Sequence, residues 1–391
     1  MRSVELFSGC GGLALGLSRA GFQHDLMVEW NNDAVTTVLH NKERGLPHIH
    51  EWPIQKTDVR GMSWDVYASG LALVAGGPPC QPFSIGGRHR GHADGRDMWP
   101  YAIKAVREAS PLAFLFENVR GITRRAFAGY LSWIVASLER PKLKRGDDES
   151  HESHLARLHG PGGGEQEYGV VVLKVNAADF GAPQKRHRVI IAGIRSELGL
   201  SLTPPAPTHS RERLLWDQWV DGDYWRRHGI SQPKDALIDR SDRALVVRLR
   251  KSGTRPGGLP WVTVRDALVG LGEPSGRGNH VLQAGARAYA GHTGSPLDMP
   301  AKALKAGDHG VPGGENMMVK DDGAVRYFTV REAARLQGLP DDYLFPGSWS
   351  ESMRQLGNAV PVMLGEAMGG WMRKVLAPLA KKAIKGNSFI Q

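Results

Sequence analysis

The chain has 391 residues, of which 41% are hydrophobic and 23% charged, a composition typical of a folded protein with one large domain or two medium ones. Its two cysteines, Cys10 and Cys80, exclude a disulfide framework and a cysteine-rich zinc site, and the 15 histidines lack paired ligand spacing, so we predict no structural metal. The formal net charge of +10 favours a polyanionic partner such as nucleic acid, although a solvated basic surface would give the same value.

The first predicted elements are a strand over residues 3–7 and a helix reaching residue 20, joined by a glycine-rich turn. Gly9, Gly11 and Gly12 permit positive φ angles and a close approach of the backbone to a ligand. The helix start adds free N–H groups. This turn therefore predicts a ligand site, with a tight strand–helix connection and no ligand as the alternative.

An acidic residue follows the second predicted strand, residues 25–28. Glu29 lies about 20 residues beyond the glycine turn, the spacing of the ribose ligand in nucleotide-binding α/β folds, and Trp30 could stack on an adenine. The turn is not G-x-G-x-x-G, which disfavours a nicotinamide cofactor. Asp58, after a third short segment, is a candidate ligand of the adenine amine, with a turn or cap residue as the alternative.

A rigid turn delivers Cys80 at the end of a buried strand predicted over residues 71–75. Two glycines and two prolines, residues 76–79, stop the strand and force a sharp turn. Because loops at the carboxyl ends of parallel strands carry ligands and chemistry in open α/β sheets, Cys80 is a candidate nucleophile. The alternative is a buried structural cysteine.

A second reactive side chain follows the next strand along the chain. Residues 85–97 are glycine-rich and basic, which predicts a loop able to close over a substrate, and residues 98–110 predict an amphipathic helix. Glu117 then comes directly after the apolar strand 112–116, where partial desolvation could prepare a carboxylate for proton chemistry. The alternative is a charged residue that marks a strand end.

Two arginines precede the last strand of this region. Residues 139–167 are polar and predict an exposed insertion, after which strands are expected over 170–175 and 189–193. Arg186 and Arg188 alternate on one face of an extended segment, where two guanidinium groups could bind an anion or a carbonyl oxygen. The alternative is an exposed strand edge with solvated arginines.

A second, loop-rich domain is predicted over residues 200–325, because prolines, glycines and tryptophans replace the strand–helix rhythm there. Phosphate contacts are one interpretation of its basic cluster, and a solvated charged face is the other. The cluster consists of Arg243, Arg248, Arg250, Lys251 and Arg255. The chain then returns to the first domain, residues 1–199, with a capped helix over 330–336 and a helix from the 357–361 segment to 377.

In this order, the motifs resemble those of the DNA cytosine-C5 methyltransferase family. They are Pro-Pro-Cys-Gln at 78–81, Glu-Asn-Val at 117–119, Gln-x-Arg-x-Arg at 184–188 and Gly-Asn-x-Val-Pro at 357–361. The resemblance covers the chain apart from 139–167 and most of 200–290. It implies a Rossmann-like α/β methyltransferase domain with a smaller, loop-rich target-recognition domain.

The resemblance implies S-adenosylmethionine as the cofactor. Its expected contacts are Phe7, Gly9, Gly11, Glu29, Trp30, Asp58, Pro79, Trp99 and Asn358. The target cytosine would be flipped out of the duplex. Cys80 would attack C6, Glu117 would bond N3 and the exocyclic amine, Arg186 would bond the base carbonyl and Arg188 would orient the carboxylate.

The same resemblance implies contacts with DNA from the loop after Cys80 and from a later segment. The expected residues are Gln81, Ser84, Arg88, Arg90, Lys302 and Lys305. Two residues depart from the family pattern: Gly86 replaces a loop serine that many relatives carry, and Ala303 replaces a threonine, so a hydroxyl contact is lost that Lys302 or Lys305 could cover. Neither departure touches the catalytic pair.

The resemblance implies a sequence-specific enzyme of a restriction–modification system that acts on double-stranded DNA, with a cognate restriction endonuclease acting separately. A transfer-RNA cytosine methyltransferase and a catalytically silent DNA-binding regulator are the alternatives. No apolar run reaches membrane-spanning length and no signal peptide is evident. We therefore expect no membrane partner. The two cysteines suit a reducing cytoplasm, and a monomer on DNA is the default expectation.

Overall fold

The computed structural model describes residues 1–68, 70–79, 97–289, 293–307 and 316–386, with side chains to residue 379. Cys80, Gln81, Ser84, Gly86, Arg88 and Arg90 lie outside these residues. Within the described chain, no helix combines the length and the hydropathy needed to cross a membrane.

A seven-stranded sheet forms the centre of the protein, in the order β3-β2-β1-β4-β5-β8-β6. Its strands are β1 Arg2–Leu6, β2 Gln23–Glu29, β3 Ile54–Lys56, β4 Leu73–Gly76, β5 Ala113–Val119, β6 Tyr168–Asn176 and β8 His187–Arg195. The first five strands are mutually parallel, whereas β8 runs antiparallel to both β5 and β6. The predicted Rossmann-like architecture is therefore confirmed.

Short strands outside this sheet connect the rest of the chain. They are β7 Gln184–Lys185, β9 His209–Ser210, β10 Leu259–Pro260, β11 Ser295–Pro296, β12 Ala301–Lys302, β13 Met317–Val319 and β14 Val325–Tyr327. β12 pairs in parallel with β7, so a late segment of the chain is tied to the segment that carries the two arginines.

Helices cover both faces of the large sheet and form most of the second domain. They are α1 Gly12–Arg19, α2 Asn32–Glu43, α3 Trp99–Ala109, α4 Ala128–Glu139, α5 His151–His159, α6 Arg211–Trp219, α7 Asp223–His228, α8 Arg240–Ser252, α9 Val264–Leu268, α10 Val330–Leu336, α11 Trp349–Asn358 and α12 Val362–Gly386. The capping box predicted for α10 is present, with Thr329 and Glu332 bonded reciprocally.

The period-2 alternation of the strands separates two cores. Val4, Val74 and Phe114 face α3 and α4, whereas Ala75 and Leu115 face α1 and α12. α1 and α12 approach closely because both carry glycines at their contact: a Cβ at Gly16 would lie 2.5 Å from the backbone nitrogen of Glu366. This packing fixes the glycine turn at the start of α1.

The second domain has a core of its own, which α6, α7 and α8 build around Trp216, Trp219 and Trp225. It contains more helix than the proline- and glycine-rich sequence predicted. The boundary is not sharp, because Val264 and Leu304 pack in a cluster that also holds Cys10 of the first domain. Residues 264–304 therefore share hydrophobic contacts with the catalytic domain.

Two local expectations need correction. The polar segment 139–167 contains α5, whose His154 is buried and accepts a hydrogen bond at Nδ1 from Trp133 Nε1 at 3.0 Å. The helix predicted after the 357–361 segment begins at Val362, directly after that segment, and Gly357 and Asn358 end the preceding helix, α11. α12 continues to Gly386 rather than ending at 377.

Candidate active site

The candidate site lies at the carboxyl edge of the parallel strands. The strand order reverses between β1 and β4, and such a reversal opens a crevice in doubly wound sheets. The turn after β1, Glu29 at the end of β2, the 77–79 turn after β4 and Glu117 on β5 all lie at this edge. The fold therefore brings predicted cofactor-binding residues and Glu117 to one edge of the sheet.

The glycine turn after β1 has a strained geometry. Phe7 has φ 57°, Gly9 φ 54° and Gly11 φ 82°, all in the left-handed region. A Cβ at Gly11 would lie 2.4 Å from a ring carbon of Trp52, whereas a Cβ at Gly9 would meet nothing within 4 Å. Gly11 is therefore required by packing, and Gly9 borders open space into which a ligand could fit.

Glu29 connects this turn to the end of β2. Its Oε2 accepts a hydrogen bond from Gly9 N at 2.8 Å, and its Oε1 accepts from Trp30 N at 3.0 Å and from Asn31 N at 2.8 Å. The side chain is buried. The carboxylate is thus held in one orientation, as a ribose ligand would require, and it also stabilises the glycine turn.

Trp30 and Asp58 flank the crevice on the β2–β3 side. Trp30 is 69% exposed, which is unusual for so large an apolar ring and suits a stacking surface. Asp58 caps a short 3₁₀ helix, accepting from Arg60 N at 2.9 Å and from Arg60 Nε at 2.8 Å, and the Arg60 hydrogen bonds lower the pKa of Asp58. The cap alternative is therefore present, and an adenine contact would have to share this carboxylate.

The three remaining predicted cofactor residues differ in accessibility. Trp99 is fully buried, contacts Phe116 edge-on, and its Nε1 has no hydrogen-bond partner among the described residues. Pro79 is half-buried, and Asn358 is exposed at the end of α11. Pro79 and Asn358 are open to a ligand, whereas the Trp99 side chain belongs to the core.

Glu117 pairs with Arg188 across the β5–β8 ladder. Arg188 Nε forms an ion pair with Glu117 Oε1, and each side chain is only 11% exposed. A Cβ at Gly77 would lie 3.3 Å from Glu117 Oε2, so the carboxylate borders the turn that leads to Cys80. Arg188 Nη1 donates to the His187 carbonyl at 2.9 Å. The ion pair therefore holds the carboxylate beside this turn.

Asn118 supports the same turn from below, and sequence reasoning assigned it no role of its own. Its Nδ2 donates to the Pro78 carbonyl at 3.2 Å, and its Oδ1 accepts from Val119 N at 2.8 Å. The Glu-Asn-Val motif thus places the carboxylate and holds the proline turn with adjacent residues.

Arg186 occupies a different environment from the one expected. It is fully buried, Nη1 donates to the Leu304 carbonyl at 2.9 Å and Nη2 donates to the Gly357 carbonyl at 2.6 Å. Burial lowers its pKa. Both terminal amino groups are used by the main chain, so these hydrogen bonds do not support a contact between Arg186 and the base carbonyl. Neither arginine is solvated, which removes the exposed-edge alternative.

Two glutamines extend the Arg186 contacts into a buried network. Gln184 Nε2 donates to Gln337 Oε1 at 3.1 Å, and Gln184 Oε1 accepts from Leu304 N at 3.2 Å. Gln337 Nε2 in turn donates to the Leu356 carbonyl. Residues 301–305, here called the return segment, lead from the second domain back to the catalytic domain. The network joins this return segment to the end of α11. The Gln337 contacts link residues too far apart in the chain for a local pattern to reveal them.

The two described residues of the predicted DNA-binding set lie on this return segment. Lys302 Nζ donates to Thr293 Oγ1 at 3.0 Å, and the Lys305 backbone is held by Asn316, whose Oδ1 accepts from Lys305 N at 3.0 Å. Lys302 pairs with Lys185 across β12–β7. The segment is therefore positioned beside the strand that precedes the two arginines, and Leu304 contacts Arg186 directly.

A family model and several known proteins match most of this chain. The family model for C-5 cytosine-specific DNA methylase matches residues 1–141, 163–220 and 279–374. The chain is 27% identical to Type II methyltransferase M.NgoMIV of Neisseria gonorrhoeae, over 97% of this chain and 98% of that protein. It is 28% identical to Type II methyltransferase M.AplI of Arthrospira platensis, over 95% and 86% respectively.

A solved structure shows the same fold at low sequence identity. The S. pombe Dnmt2 methyltransferase superposes with a TM-score of 0.54 at 17% identity, covering 97% of this chain and 99% of that one. Together with the family match over more than half of the sequence, these findings identify the chain: it belongs to the C-5 cytosine-specific DNA methylase family.

Proposed function

We propose that this DNA cytosine-C5 methyltransferase uses S-adenosylmethionine, forms a covalent adduct through Cys80 and is the sequence-specific modification enzyme of a restriction–modification system. One observation carries the proposal: Arg188 holds Glu117 at the turn that leads to Cys80. The names of the matched relatives, which are Type II methyltransferases, support the biological setting. A separate endonuclease, a monomeric state and a cytoplasmic location belong to the same proposal.

The crevice fits S-adenosylmethionine. Gly9 borders open space, Glu29 presents an oriented carboxylate and Trp30 presents an exposed ring. These groups match a backbone approach, a ribose diol and an adenine face, and Asp58, Pro79 and Asn358 would complete the pocket. When bound, the cofactor supplies an electrophilic methyl group on a sulfonium sulfur.

The residues around the base explain how cytosine becomes reactive. C5 of cytosine is a poor nucleophile until a group adds at C6, which the Cys80 thiolate would do. Glu117, in its protonated form, would donate to N3 as this bond forms and accept from the exocyclic amine. Arg188 would stabilise the carboxylate that Glu117 becomes after this donation. The guanidinium of Arg188, rather than that of Arg186, would donate to the base carbonyl.

Release of the product reverses the addition. After C5 has gained the methyl group, its proton leaves to a base, and the electron pair of that C–H bond re-forms the C5–C6 double bond as the C6–sulfur bond breaks. The sulfur keeps the electron pair of the broken bond, which restores the Cys80 thiolate. Flipping the base out of the duplex gives these side chains access to both ring carbons.

Transfer of labelled methyl from S-adenosylmethionine to mixed-sequence duplex DNA tests the proposal, with base-resolution mapping of the product. We expect label at C5 of cytosine within one short motif for the wild type and none for Cys80→Ser. Glu117→Gln should lose about 10²–10⁴-fold in rate, the usual contribution of a positioned acid. Label on transfer RNA but not on DNA would contradict the proposal, as would full activity of Cys80→Ser.

A further inference from the structure

Helix α8 of the second domain carries a stripe of unpaired cations. Its five basic residues have two different fates in the structure. Arg243 donates to the Ile238 carbonyl at 3.0 Å, and Arg250 pairs with Asp235 at 2.6 Å. Arg240, Arg248 and Lys251 are exposed and have no hydrogen-bond or ion-pair partner among the described residues. The cations of this helix therefore divide into a structural set and a free set.

The free cations lie on one side of the helix. At 100° per residue, Arg240, Arg248 and Lys251 fall within an arc of about 80°, and they span about 16 Å along the axis. The opposite side is buried, where Val246 and Leu249 pack in the core of the second domain. The stripe is thus rigidly supported from behind.

No carboxylate of α8 itself, a helix that the structure describes throughout, lies on this stripe. The acidic residues at the start of α8 are used elsewhere: Asp239 caps the helix, accepting from Ser241 N at 2.8 Å, and Asp242 is buried and pairs with Arg211. A solvated helix face usually mixes charges of both signs. Arg255, beyond the helix, is neutralised by Asp217 at 2.9 Å and Asp223 at 3.0 Å. Asp239 is exposed beside Arg240, at the start of the stripe, so the unbalanced positive surface extends from there to Lys251.

The start of α8 lies on the side of the second domain that faces β7. Asp239 and Asp242 lie close enough to Lys185 to influence its pKa, which burial and the nearby Arg211 lower. Lys185 pairs with Lys302 across β7–β12 and precedes Arg188 by three residues. The start of α8 therefore lies near the β7–β12 pair, which in turn adjoins the segment that carries Arg188.

We infer that the Arg240–Arg248–Lys251 stripe binds the phosphate backbone of the DNA that flanks the methylated site. The inference rests on the proposed function, because it needs duplex DNA in the crevice, and it adds a contact surface in residues 221–278, which the family model does not match. A length of about 16 Å corresponds to about five base pairs of duplex. The stripe would contribute affinity and not base specificity, because phosphates carry no sequence information.

The test is the salt dependence of DNA binding by the full-length protein, measured under conditions in which no methyl group is transferred. The double variant Arg248→Gln/Lys251→Gln removes two phosphate contacts. The slope of the logarithm of the DNA association constant against the logarithm of the salt concentration should therefore become shallower by about 1.8. At 0.15 M salt the dissociation constant should rise roughly 30-fold if that slope is extrapolated to 1 M. Duplexes are used with about 15 base pairs on each side of the site and with the flanks trimmed to two.

Arg19→Gln/Lys374→Gln is the matched control. It removes the same charge from exposed residues at the opposite edge of the sheet, on α1 and α12. We expect the control to match wild type on both duplexes, and the α8 variant to be impaired on the long duplex only. Equal slopes for the two variants would overturn the inference, as would an α8 defect confined to transfer RNA.

Thermal unfolding of each variant checks that the second domain is intact. A wild-type protein that binds duplex DNA with the expected slope but methylates no cytosine would contradict the proposed function and leave the phosphate surface standing. A wild-type protein that methylates normally, with identical binding by both variants, would contradict the surface alone.

Discussion

Replacement of Arg186 distinguishes a main-chain clamp from a base-binding residue. In Arg186→Met, the buried carbonyls of Leu304 and Gly357 lose their donors, at about 1–3 kcal/mol each. Removing a buried charge offsets part of this cost, because burial of the guanidinium is itself unfavourable. We therefore expect the free energy of unfolding to fall by about 2–4 kcal/mol without DNA present.

Chemical denaturation of the DNA-free protein measures this effect. Arg186→Lys should lie between wild type and Arg186→Met, because a single ammonium cannot satisfy both carbonyls with the geometry of the planar fork. Arg188→Gln is the contrasting variant: it should lose methyl transfer, since its partner Glu117 is at the site, while both carbonyl acceptors of Arg186 keep their donors. If Arg186→Met left the free energy of unfolding within about 0.5 kcal/mol of the wild-type value, the interpretation of Arg186 as a main-chain clamp would be wrong.

Three further predictions follow from buried groups. Gly11→Ala should lower the free energy of unfolding by about 2–5 kcal/mol, because Gly11 has a φ of 82° and an added Cβ would lie 2.4 Å from Trp52. Unchanged stability would contradict this prediction. Burial raises the pKa of Cys10 to about 12, so iodoacetamide at pH 8 should label Cys80 and spare Cys10 in peptide mapping; prompt Cys10 labelling would contradict its burial. Burial lowers the pKa of His24 to about 4, so the neutral form stabilises the fold above pH 6.5 and stability declines toward pH 4, with a limiting slope of about 1.4 kcal/mol per unit. His24→Gln should have a shallower acid limb in urea titrations, and an identical limb would refute the assignment.

Residue order predicted the parts of the site that depend on strand ends. Glu117 lies near the end of β5 and Glu29 ends β2, so the parallel sheet brings both carboxylates to one edge without further information. Their placement needed only the local pattern and the rule for parallel strands. The pairing of Glu117 with Arg188, which lies on the antiparallel strand β8, was expected only from the family resemblance.

The environment of Arg186 could not be predicted in the same way. Its acceptors, Leu304 and Gly357, lie 118 and 171 residues away along the chain, and a local pattern cannot distinguish a backbone clamp from a ligand-binding guanidinium. The same limit applies to Trp52 behind Gly11. For the polar segment 139–167, Trp133 of α4 helps to fix α5, through a hydrogen bond to the buried His154 that composition does not reveal.

Covalent trapping on a duplex that contains 5-fluorocytosine tests the central claim most directly. Fluorine replaces the C5 proton and cannot leave as a cation, so the elimination that breaks the C6–sulfur bond is blocked and the adduct should persist in denaturing gels. The account predicts a cofactor-dependent complex in the wild type, with the base attached to Cys80 by mass spectrometry, and no complex in Cys80→Ser. An adduct on Cys10, or a trapped complex that survives Cys80→Ser, would contradict it.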